Sequence, residues 1–148
     1  MDFRQWNPVR HHWLAEQLML RAKGRYRAFR EAEVALGDKP DVIVASSAAT
    51  CEVAIEVKHS KNWTVRQLED ALRTQLAEDY LKPEARRQGV LVITHHATRQ
   101  WRDTETNDLI TFDHLIQRLE SIAASLQRNA VGVIAVRCAG IDATPASA

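Results

Sequence analysis

The segment 89–94, with the sequence GVLVIT, restricts the fold more than any other feature of this chain. An uninterrupted apolar run of this length predicts a β-strand that is covered on both faces, because a strand with one solvated face alternates apolar and polar residues. Helices on both sides of a sheet supply such cover, which indicates the α/β class. The length of 148 residues indicates one domain with its own core.

Helix signals occur in three places along the sequence. Asn7 and Pro8 provide a capping residue followed by proline at the first helical position, and Gly24 marks the end of that helix. Thr64 and Gln67 have the spacing of a capping box. The predicted helices begin at residues 8, 64 and 113 and end near residues 24, 80 and 128.

The predicted strands cover residues 29–35, 41–45, 51–58, 89–94 and 131–136. The order helix, three strands, helix, strand, helix, strand predicts an antiparallel meander followed by crossover helices, and therefore a mixed sheet between helices. A single domain is predicted over residues 1–140. Residues 141–148, which are rich in alanine with a proline and a serine, are predicted to form a flexible tail.

Composition excludes several classes of protein. No part of the sequence approaches the roughly 20 consecutive apolar residues of a membrane helix. The N-terminus lacks the apolar core of a signal peptide, so a cytoplasmic protein without membrane contact is predicted. Cys51 and Cys138 lie in predicted strands and are interpreted as reduced core residues. There is no glycine-rich phosphate loop, which argues against an NTPase. The net charge of +1 neither requires nor excludes a nucleic-acid partner.

Polar groups of complementary chemistry lie on two neighbouring predicted strands. Asp41 opens one strand, whereas Glu56 and Lys58 lie two residues apart on the next and therefore point to one face. Hydrolysis of a phosphodiester needs an activated water and stabilised charge on the phosphate, which a divalent cation held by carboxylates supplies. Asp41, Glu56 and the backbone carbonyl of Val57 are the predicted metal ligands, with Lys58 beside the attacking water.

The alternative interpretation of these charges is a solvent-exposed ion pair at a strand end, which is common and contributes little. The buried strand argues against it, because polar groups in such a strand are unfavourable unless they have partners. Gln75 is the fourth predicted catalytic residue. It falls with Leu72 and Leu76 on the helix face that should pack on the sheet, where its amide would meet the cation or a phosphate. The alternative for Gln75 is a helix-edge glutamine bonded to a loop.

The pattern Pro40-Asp41, fourteen intervening residues and then Glu56-Val57-Lys58 resembles the PD-(D/E)XK nuclease superfamily. The resemblance covers residues 9–136. It implies a restriction-endonuclease-like mixed β-sheet flanked by helices, with an αβββαβ core plus an additional helix and strand. It also implies cleavage of DNA with Mg²⁺, or with Mn²⁺ in its place, with Lys58 as the catalytic lysine.

Two further expectations come from the same resemblance. Some members carry glutamine and tyrosine four residues apart in the helix after the lysine. Gln75 and Tyr80 are five apart, which in an α-helix turns Tyr80 away from the Gln75 face. Members often use another acidic residue near the first helix. Glu31 and Glu33 are the alternatives for that position, and Glu33 is included among the predicted metal ligands.

Cations are concentrated around the end of the first helix. Five lie within ten residues, namely Arg21, Lys23, Arg25, Arg27 and Arg30. With aromatic residues between them, they are able to follow a phosphate backbone. The alternative is a solvated helix end whose cations complement the helix dipole. Arg25, Arg27, Arg30 and Lys61 are the predicted substrate-binding residues.

Aromatic residues and histidines give weaker signals. Trp63 and Trp101 are predicted in loops, where each is able to stack on a base, although such tryptophans more often cap a core or meet a partner chain. The adjacent histidines His95 and His96 lack the spacing of a zinc site. One of the two, at the end of a central strand, is a candidate for contact with substrate.

These signals together predict a metal-dependent DNA nuclease, an endonuclease or nickase. It would act alone, as a homodimer, or as the effector module of a larger bacterial defence or DNA-processing protein. The alternative is a catalytically inactive nuclease-fold module that binds DNA or another protein and uses the charged cluster structurally.

Overall fold

A five-stranded mixed sheet lies at the centre of the computed structural model, which describes residues 7–30, 40–80, 87–96, 99–129 and 135–142. In spatial order its strands are β1 (Tyr26–Phe29), β2 (Val42–Ser46), β3 (Glu52–His59), β4 (Gln88–His95) and β7 (Ala135–Asp142). A separate hairpin contains β5 (Trp101–Arg102) and β6 (Leu109–Ile110). The pairs β1–β2 and β2–β3 are antiparallel, whereas β4 is parallel to both β3 and β7. The predicted mixed sheet is therefore confirmed.

Helices flank this sheet on both faces. One face carries α1 (Asn7–Ala22), and the other carries α2 (Val65–Asp70), its π-helical continuation Ala71–Tyr80, and α3 (Phe112–Asn129). The predicted capping box is confirmed, because the Thr64 hydroxyl accepts from the Gln67 amide and the Gln67 side chain accepts from the Thr64 amide. After α1 the backbone takes positive φ at Lys23 and Gly24, which ends the helix.

The central strands send alternate side chains into two apolar cores. On β4, Leu91 joins the larger core under α2 and α3, whereas Val92 joins the smaller core under α1. The run 89–94 is therefore covered from both sides, as predicted. Gly89 permits the close approach of the π-helical segment, because a Cβ at this position would lie 2.9 Å from Leu76 Cδ1.

Three predicted boundaries differ from the structure. The first strand begins at Tyr26, directly after the turn that follows α1, and residues 31–35 of the predicted strand lie outside the described residues. Within the described residues the last strand is Ala135–Asp142, so it extends six residues beyond the predicted end at residue 136, and residues 131–134 of the predicted strand lie outside the described residues. As an edge strand it alternates buried and exposed residues at its start. It includes Ile141 and Asp142, so the boundary predicted at residue 140 falls inside a strand.

The hairpin formed by β5 and β6 was not predicted. Trp101, predicted in a loop where it would stack on a base, lies in β5 and is buried in the larger core. The prediction for Trp101 is therefore wrong, because tertiary packing buries the ring. Among the described residues, none of the helices combines the length and apolar character needed to cross a bilayer.

Candidate active site

Asp41 and Glu56 lie opposite each other at one end of β2 and β3. Val42 pairs with Ile55, and the antiparallel register continued by one residue sets Asp41 opposite Glu56. Directly opposed residues share a face of the sheet, which here is the face covered by α2 and α3. The Val57 amide donates to Asp41 Oδ2 at 2.8 Å and so holds this carboxylate against β3. The structure thus brings the two predicted carboxylates together.

Lys58 joins the two carboxylates on the same face. Its Nζ lies 2.8 Å from Glu56 Oε1, and the two side chains are only 11% and 5% exposed. The indole ring of Trp63 lies on another side of the ammonium, with 4.5 Å between Nζ and the ring centroid. The pair therefore differs from the solvent-exposed ion pair of the alternative interpretation.

Glu56 is electrostatically unfavourable as a carboxylate. Burial raises the pKa of Glu56 to about 7, the charge of Asp41 adds to the increase, and Lys58 opposes it. Burial also raises the pKa of Asp41, against the hydrogen bond from the Val57 amide and the charge of Lys58. Two buried carboxyl groups with one ammonium carry an excess negative charge, so the pair favours retention of a proton.

The donor atoms of this site fit a divalent cation. Within the described part of the chain, Glu56 Oε2 is buried and no N–H donor reaches it, although the Glu56 and Asp41 side chains are close enough to share a proton. A hard cation would satisfy this oxygen and supply the missing positive charge. Among the described residues no group of three or more His, Cys, Asp or Glu side chains is placed to hold a metal. A cation would therefore need Asp41, Glu56, backbone oxygen such as that of Val57, and water.

The described part of the structure gives little or no position for the remaining predicted ligands and catalytic groups. Glu31 and Glu33 lie outside the described residues. Gln75 lies in the π-helical segment, next to the buried Leu76, but the described part of the structure does not include its side chain or that of Tyr80. Because π-type hydrogen bonds join residues five apart, positions 75 and 80 lie about one turn apart. The α-helical geometry assumed for their spacing is therefore wrong.

The predicted substrate-binding cations lie in different places. The Arg25 carbonyl accepts from the Ser47 amide, beyond the end of β2, and Ser47 lies about 20 Å from Asp41 along the strand. The Arg25 guanidinium donates to the carbonyls of Ala22 and Arg21, as the helix-end alternative expects. The Arg27 side chain is exposed on β1. Arg30 follows β1 opposite Val42, on the face covered by α1, and it acts on the site through its charge, which lowers the pKa of Asp41.

Lys61 and the histidines lie around the end of β3 and β4. Lys61 is exposed three residues after Lys58. His95 is buried, with its Nδ1 3.1 Å from Ser60 Oγ and its ring stacked on Phe112 at 4.6 Å, so it is placed as a core residue and not as a contact for substrate. His96 is exposed and remains the candidate of the two.

Trp63 has a position that sequence analysis missed. It was predicted in a loop, which is correct, but its contact with the Lys58 ammonium was not foreseen. No sequence pattern marks this contact, because it depends on the 3₁₀ turn at Ser60–Asn62 that lies between the two residues.

Comparison with known protein families, with curated proteins and with solved structures found no match for this chain. The fold and the site define a mixed α/β protein with a buried cluster of two carboxylates and one lysine. The functional argument therefore depends on the geometry of that cluster.

Proposed function

We propose that this protein is a divalent-metal-dependent nuclease that hydrolyses phosphodiester bonds in DNA. The observation that carries the proposal is the buried cluster in which Asp41 faces Glu56 and the Lys58 ammonium contacts Glu56 at 2.8 Å. The order of helices and strands supports the finer assignment to a restriction-endonuclease-like fold, because a helix, a three-stranded meander, a helix and a parallel strand follow one another.

Each side chain of the cluster has a distinct role in this proposal. A bound Mg²⁺ or Mn²⁺ would stabilise negative charge on the phosphate and acidify a water. Asp41 and Glu56 would hold the cation through their carboxylates. Lys58 has three N–H donors, of which one reaches Glu56, so the others are able to bind a phosphate oxygen or orient the attacking water.

The substrate is proposed from charge and from the resemblance to PD-(D/E)XK nucleases. Arg30 lies near Asp41, and the exposed Lys61 follows Lys58. Lys61 is able to contact the phosphate backbone beside the cleaved bond, and Arg30 adds positive charge from the opposite face of the sheet. We propose an endonuclease, acting alone, as a homodimer, or as part of a bacterial defence or DNA-processing system.

The first test is cleavage of supercoiled, linear and single-stranded DNA with Mg²⁺, Mn²⁺ or a chelator. Glu56→Ala and Lys58→Ala should each reduce cleavage by at least about 10³-fold, because each removes a group that acts on the reacting phosphate. Glu52→Ala is the matched control, since Glu52 lies at the other end of β3 on the same face. Cleavage by both site variants at the wild-type rate would exclude the proposed mechanism.

A catalytically inactive module that binds DNA or another protein is the second candidate. One observation favours it: Lys58 Nζ lies 2.8 Å from Glu56 Oε1, so Glu56 already has a positively charged partner without a metal ion. This function predicts DNA binding that is unchanged by either metal ion, with no nicked or linear product. Gel-shift and cleavage measurements on the same samples separate the two functions.

A further inference from the structure

Trp63 links the Lys58 ammonium to the body of the protein. The ring lies 4.5 Å from Lys58 Nζ, within the range at which an aromatic face attracts a cation. The same ring packs against the larger core, so it is anchored on its other side. The ammonium therefore has the indole face as one neighbour and Glu56 Oε1 as another.

The segment that carries Trp63 is held by several hydrogen bonds. It follows a 3₁₀ turn at Ser60–Asn62, and the Trp63 amide donates to the Ser60 carbonyl at 3.3 Å. The buried Ser60 hydroxyl lies 3.1 Å from His95 Nδ1 at the end of β4. The Arg99 guanidinium donates to the carbonyl oxygens of Ser60, at 2.8 Å, and of Lys61. The indole ring is therefore attached to a fixed turn.

A lysine in such a site needs a second anchor besides its carboxylate. Fixing a lysine side chain in one conformation costs rotamer entropy, which a second contact offsets. Glu56 is able to hold Lys58 only while its charge is not shared with a cation. The attraction of the indole face does not depend on the state of Glu56.

We propose that Trp63 is a positioning residue that keeps the Lys58 ammonium at the reaction site through contact with its indole face. The catalytic consequence rests on the proposed nuclease function, whereas the contact itself does not. Trp63 acts through Lys58 and has no assigned contact with substrate.

The kinetic test compares Trp63→Leu with Trp63→Phe. A cation–π contact of about 0.5–2 kcal/mol corresponds to a loss of kcat of about 2- to 30-fold in Trp63→Leu. The KM for a DNA duplex should change less than about twofold, because the ring acts on Lys58 and not on binding. Trp63→Phe retains an aromatic face and should restore part of kcat. The control is Trp13→Leu, since Trp13 is 52% exposed on α1 and should leave kcat unchanged.

The second test measures the contact without cleavage. In a ¹H–¹³C NMR spectrum of the full chain, the indole ring current should move the ε-methylene protons of Lys58 upfield relative to those of the exposed Lys61. The shift should disappear in Trp63→Leu and persist, smaller, in Trp63→Phe. Thermal unfolding of each variant shows that it is folded when it is measured.

The outcomes separate this inference from the proposed function. If Trp63→Leu has the same upfield shift of the Lys58 ε-methylene protons as the wild type, the proposed contact between the two side chains is wrong. A shift that is lost in Trp63→Leu with no change in kcat overturns the positioning role. No cleavage by the wild type, with the shift intact, excludes the nuclease function and supports the contact. If Trp63→Leu does not fold, Trp63→Phe takes its place, with Trp13→Leu as control. A smaller upfield shift and a lower kcat in Trp63→Phe than in Trp13→Leu support the positioning role, and equal values in both variants overturn it.

Discussion

Arg118 on α3 and Lys58 on β3 are the centres of two charged clusters that differ in how completely their partners are satisfied. Arg118 contacts three carboxylates, those of Glu69 at 2.9 Å, Glu105 at 3.1 Å and Asp103 at 3.6 Å. The Thr104 hydroxyl donates to Glu69 and accepts from Arg118. Backbone hydrogen bonds from Glu105 and Thr106 lower the pKa of Asp103. In this cluster the ionised carboxylates are stabilised.

The cluster around Lys58 has the opposite character. The pKa of Glu56 is raised to about 7, and within the described residues no N–H donor reaches Glu56 Oε2, which lies beside the second carboxyl group of Asp41. A cluster that only joins elements of a fold is expected to satisfy its polar atoms, as the Arg118 cluster does. Perturbed, incompletely satisfied groups are instead concentrated at binding and catalytic sites. The contrast supports a functional role for Asp41, Glu56 and Lys58.

The largest stability effect that tests this contrast is expected from Arg118→Leu. Removal of the guanidinium leaves Glu69, whose side chain is only 14% exposed, without its cation, so the free energy of unfolding should fall by about 2 kcal/mol. Chemical denaturation measures the loss, with Arg128→Leu, an exposed position on the same helix, as control. Cleavage per folded molecule should not change. A loss below about 0.5 kcal/mol would show that the Arg118 cluster is not structural.

A smaller effect of opposite sign is expected from Glu56→Gln in the presence of a chelator. The folded protein holds the Glu56 proton up to about pH 7, whereas the unfolded chain releases it near pH 4.5. Between these values the folded state binds more protons, so the wild-type free energy of unfolding falls as the pH rises. Glu56→Gln removes this slope and should stabilise the protein by on the order of 1–2 kcal/mol at pH 8.

Thermal unfolding from pH 4.5 to pH 8 measures the slope for both proteins. The wild type should lose stability relative to Glu56→Gln across this range, and Glu52→Gln, on the same face of β3, should follow the wild type. Parallel curves for the wild type and Glu56→Gln would contradict the raised pKa.

The smallest effect is expected from Glu105→Gln, at the exposed edge of the Arg118 cluster. The Glu105 side chain is 75% exposed, so its ion pair with Arg118 is screened by water. The free energy of unfolding should change by less than about 0.5 kcal/mol. Denaturation at low and high salt measures the change, and a larger loss would show that Glu105 is essential to the cluster.

Sequence patterns predicted the parts of the fold and site that depend on neighbouring residues. Alternation along β3 placed Glu56 and Lys58 on one face, and the capping box at Thr64 marked the start of α2. Asp41 and Glu56 are fifteen positions apart on two consecutive antiparallel strands. The pairing of these strands is therefore enough to bring the two carboxylates together. These features need no knowledge of distant packing.

The failures concern features that distant packing decides. Trp101 is buried because α3 and the end of β4 surround its ring, through Phe112 and His95. The last strand pairs with β4 as an edge strand, and the sequence pattern of 135–142 does not reveal this pairing. The contact between Trp63 and Lys58 depends on the turn that Arg99 holds. A single-sequence pattern does not contain these long-range partners.

The π-helical segment Ala71–Tyr80 affects how this chain should be aligned with others. Each π turn contains more residues than an α turn, so a pair of positions one turn apart is separated by five residues instead of four. Gln75 and Tyr80 have this wider separation. A comparison of these two positions with a helical pair four residues apart therefore has to permit a one-residue insertion in this helix.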